Sequence, residues 1–126
     1  MNVSLDIPAS RAVLSAALEG LVGVNYILLR RQRMPRLYKA GVRYRAEQLV
    51  GGKRLEQWKT APQVFALGLG DCEDLAAWRA AELRVHRGEP ARAVVYRTGP
   101  KKFHAVVERA DGSIEDPSKR LGMRRR

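Results

Sequence analysis

Residues 12–29 are mostly apolar and rich in helix formers, and residues 8–10 just ahead of them carry helix-start chemistry, so a long first helix is expected. Gly20 and Gly23 weaken it by roughly 1 kcal/mol each relative to Ala, and mark a bend or a close approach to another helix. Residues 1–6 form a short polar arm with the character of an edge strand. The stretch 55–67 reads as a second, irregular helical segment, anchored by Trp58 and Phe65 and interrupted by Pro62. Over 72–85 the pattern is again helical, with Cys72, Ala76, Ala80 and Leu83 on one face, Gly88 as the stop and Pro90 just beyond. After that the period changes to two. Residues 91–98 and 103–109 read as strands joined at Gly99-Pro100, and Ala110-Asp111-Gly112 turns the chain into a short strand over 113–116 that Pro117 ends.

These elements predict one α+β domain of 126 residues: a helical, basic part over 1–54, a core over 55–118 and a basic tail over 119–126 that frays. No internal repeat is visible. The apolar run over 13–29 contains Glu19 and Asn25 and reads as too polar for a membrane span, hence as a packed or partner-facing helix. No secretory signal is evident, and a single cysteine forbids an internal disulfide, so a cytoplasmic location is expected.

Charge adds a second theme. The net charge is +11, and much of it lies over 30–54, where Arg30, Arg31, Arg33, Arg36, Lys39, Arg43, Arg45, Lys53 and Arg54 stand against Glu47 alone. Tyr38 and Tyr44 are interleaved, Pro35 and Gly41 suggest a loop, and Gly51-Gly52 a turn. Basic side chains with aromatics between them suit an acidic partner, nucleic acid included, although no recognised nucleic-acid motif accompanies them. The plain alternative is a solvated surface. Leu67-Gly68-Leu69-Gly70 lacks the lysine and spacing of a phosphate loop.

The lone cysteine opens the central helix. Asp71 is a good N-cap, Asp74 completes a capping-box-like pair, and Cys72 falls in the first turn, where unbonded amides and the helix dipole favour a thiolate. A small buried hydrophobe is the alternative. A nucleophilic cysteine needs a base, and the base an orienting partner. His86 lies 14 residues on along the same helix, about 20 Å away at the helical rise, so it cannot serve. His104 can. A three-residue loop with left-handed Gly112 pairs Val106 with Asp116 and puts Asp116 on the face of His104, whereas a two-residue turn puts Glu115 there.

The runs Trp58…Ala61-Pro62…Gly68-Leu69-Gly70-Asp71-Cys72-Glu73-Asp74-Leu75-Ala76, His104-Ala105-Val106-Val107 and Glu115-Asp116-Pro117 resemble the transglutaminase-like cysteine protease superfamily, above all the bacterial transglutaminase-like cysteine peptidases. The resemblance covers residues 58–118. It implies a papain-like core, in which a helix bearing the nucleophile packs on a small antiparallel sheet, and a triad of Cys72, His104 and Asp116. It also implies thioester chemistry on protein amides, as a peptidase, deamidase or transglutaminase. The Cys72 amide would serve as oxyanion donor, with Gln63 or Trp58 as the second. In the bacterial peptidases similar acids bind calcium, which makes Asp71 and Glu73 candidate ligands, although the triad itself requires no cofactor. Three acids in four residues fall short of a full oxygen cage, and helix capping is the alternative. The same acids oppose a thiolate by like charge. Those secreted peptidases carry export signals, and this chain shows none. Compact stand-alone domains of this superfamily in phage genomes bring in a competing expectation: a non-catalytic, virion-associated assembly protein docking through the basic patch.

Overall fold

The computed structural model describes residues 2–4, 11–46, 49–50, 53–54, 57–99 and 102–123. Along the chain these form β1 (Asn2–Ser4), α1 (Arg11–Arg31), a 3-10 turn (Leu37–Lys39), β2 (Arg43–Tyr44), β3 (Leu49–Val50), β4 (Lys53–Arg54) and β5 (Gln57–Lys59). Then follow α2 (Ala61–Leu67), β6 (Leu69–Gly70), α3 (Cys72–Arg87), β7 (Arg92–Gly99), β8 (Lys102–Glu108), β9 (Ile114–Glu115) and α4 (Pro117–Arg120). The protein is α+β. The order β7-β8-β9 forms an antiparallel sheet, β1-β5 and β3-β4 are antiparallel pairs, and β2-β6 is a parallel pair.

The core forms where α1 and α3 pack on each other and on β7 and β8. On α1 the buried stripe is Leu14, Leu18, Leu21, Val22 and Leu29, the spacing a helix gives a single face. By length and composition alone α1 is also long and apolar enough to cross a bilayer, a test that a packed core helix passes as well. Here its apolar stripe is spent on the core. Nothing lies within 4 Å of where a Cβ would sit on Gly20 or Gly23, so of the two roles expected, a bend or a close approach, neither glycine serves the second.

Alanines let α3 sit tightly: Ala76, Ala77, Ala80 and Ala81 are fully buried with Leu75, Trp78 and Leu83. They face Ala93, Val95, Ala105 and Val107 of the sheet, where β7 and β8 pair Val95 with Ala105 and Ala93 with Val107. α3 ends at Gly88 as the sequence predicts.

Three local expectations are corrected. Pro62 begins α2 at its first turn, where a missing N–H costs nothing, and does not interrupt it. Residues 57–59 ahead of it are strand. Phe65 is no anchor: α2 buries only Ala61 and Val64, and Phe65 and Leu67 face solvent, while Trp58 is buried as expected. The described part of the tail is packed and does not fray: Asp116 caps α4, and Leu121 is buried. Gly51-Gly52, Pro100 and residues 124–126 lie outside the described residues.

Gly20 is an exposed mid-helix glycine with room for a methyl group. Gly20→Ala is therefore expected to stabilise the fold by about 1 kcal/mol, through a smaller backbone entropy loss, read as a higher urea midpoint with unchanged slope.

Candidate active site

Two carboxyls start α3. The amide of Asp74 donates to Asp71 Oδ1 at 3.1 Å, and the amide of Asp71 donates to Asp74 Oδ2 at 3.3 Å, closing the capping box the sequence predicts. The backbone of Lys59 on β5 donates to Asp74 Oδ1 at 2.7 Å, and its ammonium stands 3.6 Å from Oδ2. Asp74 is fully buried. Burial first, and then the charge of Asp71, push its carboxyl up to about 8 against the Lys59 amide and ammonium. Gly70 makes this close seat feasible: a Cβ there would meet Leu75 and Val64 at 3.1 Å and Asp74 at 3.3 Å.

Cys72 follows immediately. Its thiol is buried and donates to Glu73 Oε2 at 3.3 Å. Burial pushes the thiol well above its ordinary value, the charges of Glu73 and Asp71 add to that, and a backbone hydrogen bond from Ala105 of β8 opposes them. Burial and the two carboxylates thus work against the thiolate that the helix start favours, as the sequence predicts for the acids. The sulphur nonetheless lies against β8 at the residue that follows His104.

His104 is held from β9. The register pairs Glu108 with Ile114 and Val107 with Glu115. The Arg109 amide donates to Ser113 O at 2.8 Å, the Gly112 amide donates to Arg109 O at 2.9 Å, and Gly112 has φ 86°. This is the three-residue loop, not the two-residue turn. It sets Asp116 diagonal to His104 on one face, and His104 Nε2 meets Asp116 Oδ2 at 2.8 Å. Asp116 also caps α4, its Oδ1 accepting from the Lys119 amide at 3.2 Å. One carboxylate serves both purposes. Because Nε2 faces Asp116, Nδ1 is the ring nitrogen available to a reacting group.

The rival acid, Glu115, points elsewhere. It accepts from Arg79 Nε at 2.6 Å, from Arg109 Nη1 at 2.8 Å and from the Tyr38 hydroxyl. Tyr38 is itself sandwiched, with the guanidinium carbons of Arg79 and Arg120 at 4.9 and 4.0 Å from its ring centre. Sequence reasoning counted Tyr38 with the basic patch. No local pattern shows that it pins α3 to the hairpin.

The other predicted residues divide. Gln63 is committed to α2, its Oε1 accepting the Thr60 amide at 2.9 Å in a capping box. Trp58 is buried, and among the described residues its indole N–H has no hydrogen-bond partner. Of the candidate calcium ligands, Asp71 serves as helix cap and Glu73 as acceptor for the thiol. Among the described residues no three His, Cys, Asp or Glu side chains converge as a metal site needs. His86 lies exposed in the last turn of α3, away from Cys72 as expected. The basic residues Arg30, Arg31, Arg33, Arg36, Lys39, Arg43 and Arg45 are all exposed.

No family model, curated protein or solved structure gives a significant match to this chain.

Two outcomes follow from the electrostatics. Glu73→Gln removes a like charge from the thiol and is expected to raise the rate of Cys72 alkylation at fixed mildly alkaline pH by about tenfold, one pK unit's worth; an unchanged rate would mean that Glu73 does not hold the proton. Asp74 is raised in the folded state and ordinary in the unfolded one, so the stability it contributes is complete below about pH 4 and is lost as pH rises towards 8. Urea melts across that window should show wild type losing stability relative to Asp74→Asn as pH rises.

Proposed function

We propose that this protein is a small thiol hydrolase or acyltransferase acting on protein amides, with a papain-like core of the transglutaminase-like type and Cys72, His104 and Asp116 as its triad. The observation that carries the reading is the 2.8 Å His104–Asp116 bond on the strand against which the Cys72 sulphur lies. Asp116 would fix the ring and stabilise the imidazolium, leaving Nδ1 to take the thiol proton.

The chemistry follows in balanced steps. The thiol proton passes to His104 as sulphur bonds to the carbonyl carbon, and the Cys72 amide, one of those a helix start leaves unbonded, donates to the oxyanion. The C–N bond then breaks, the leaving amine takes its proton from His104, and a thioester remains on Cys72. Water or a second amine, deprotonated by His104, attacks that thioester and regenerates the thiol. Glu73 must release the thiol before the first step. A nearby substrate carbonyl and exclusion of Glu73 from the sulphur would do this together.

The Cys72–Glu73 hydrogen bond also favours a second reading, a non-catalytic assembly protein that keeps the arrangement with an inert thiol. Iodoacetamide alkylation of Cys72 against pH, in wild type, Glu73→Gln and His104→Ala, separates the two. A thiolate fraction that falls at least about tenfold at neutral pH on losing His104 supports the enzyme. An ordinary thiol titration unaltered by His104→Ala, in the Glu73→Gln background as well, sinks it.

A further inference from the structure

Two groups of cations in this protein differ in their partners, apart from scattered exposed arginines such as Arg87, Arg97 and Arg120. Arg79, Arg84, Arg92 and Arg109 each pair with a carboxylate, at distances of 2.6 to 3.0 Å. Arg30, Arg31, Arg33, Arg36, Lys39, Arg43 and Arg45 are exposed, and among the described residues none pairs with an acid. No Asp or Glu occurs anywhere over 20–46. Seven positive charges thus stand on residues 30–45 with no acid in that segment to offset them, and the tail over 119–126 carries five more.

That segment is held firmly. Past α1 the chain runs as a strap beside α3, from its C-terminal end back to its start. The Leu37 amide donates to buried Glu82 Oε1 at 2.8 Å, and Tyr38 is bonded to Glu115. Further on, the Arg43 amide donates to Gly68 O at 3.0 Å, and those of Tyr44 and Arg45 donate to Leu121 O and Gly70 O, both at 2.9 Å. The basic side chains therefore project from a fixed backbone, which lowers the ordering cost of binding. At 16 residues α3 is about 24 Å long, and a strap of that reach spans about seven phosphate steps of one B-form strand.

At the α1 end of the strap lies a hollow of about 310 Å³ lined by Arg30, Arg31, Arg33, Met34 and His86. Three arginines line it, and Leu29 and Met34 add apolar residues against which a sugar or base edge can rest. Arg30 and Arg31 also sit at the negative end of the α1 dipole, a sufficient structural reason for those two. It does not account for Arg33, Arg36, Lys39, Arg43 or Arg45, which lie beyond the helix.

We propose that the strap over 30–45 is a nucleic-acid-binding track that engages the phosphate backbone without reading sequence. It needs nothing from the thiol chemistry, since the hollow lies at the far end of α3 from Cys72. If the thiol chemistry proposed above also holds, the track would bring Cys72 to proteins assembled on nucleic acid, because Arg43 and Arg45 sit beside the Gly68–Gly70 turn that leads into Cys72.

The test is fluorescence anisotropy with labelled single-stranded DNA, RNA and duplex DNA, each about 20 nucleotides long, between about 50 and 200 mM salt. Wild type and Cys72→Ala should bind alike, with log affinity for duplex falling against log salt with a slope near −6. Arg33→Glu/Arg36→Glu should make that slope shallower by about 2 and weaken binding about 30-fold or more. Arg92→Glu/Arg97→Glu, an equal charge change at exposed positions of β7, should leave both within about threefold of wild type. Circular dichroism of the variants checks that each is folded. Absence of binding at the lowest salt, equal loss in both double variants, or competition by poly-glutamate as effective as by oligonucleotide would each overturn the proposal, the last in favour of an acidic protein partner.

Discussion

Much of this structure hangs on the carboxylate of Glu115. Burial alone would raise it, but hydrogen bonds from Arg79 and Tyr38, then the charge of Arg79 and a bond from Arg109, hold it below its ordinary range. Three parts of the chain meet there: α3 through Arg79, the 3-10 turn through Tyr38 and the end of β8 through Arg109. Arg79 extends the set to Glu82, which is buried and also receives the Leu37 amide. A half-buried, shared acceptor of this kind is worth more as a geometric lock than as a source of net stability, because desolvation offsets much of the attraction.

That lock has consequences on both sides. Glu115 points to α3, so strand alternation sends the next residue, Asp116, to the opposite face, where it meets His104. Pinning Tyr38 fixes the strap on which the exposed cations stand. The candidate catalytic pair and the basic surface are therefore positioned by one polar cluster, in which Tyr38 belongs to the strap itself.

The start of α3 shows a different balance. Capping, close packing at Gly70 and burial of Asp74 make a rigid helix terminus, while Asp71 and Glu73 set negative charge beside the single thiol. Rigidity and thiolate formation compete at the same turn. The helix end favours the anion by a modest amount, and burial beside Glu73 and Asp71 opposes it more strongly. The thiol donates to Glu73, and any nucleophilic role must include the release of that contact.

Where the controlling interactions are local, the sequence by itself determined the outcome. The start of α3 at Asp71 and its stop at Gly88 depend on residues a few positions apart. At Gly112 the sequence leaves two turns open, and the structure selects the three-residue loop that puts Asp116 rather than Glu115 on the face of His104. The composition also determined that the surface would be basic. Tertiary structure decided what depends on distant neighbours. Tyr38 and Glu115 meet across 77 positions, and Leu37 and Glu82 across 45, so neither contact leaves a periodic trace. Exposure of Phe65 follows from which face of the short helix α2 found the core. The protonation of Cys72 depends on desolvation, and the division between paired and unpaired arginines on which acids the fold brings within reach. Patterns of period two or 3.6 record one face of one element; charge pairing and desolvation belong to the assembled whole.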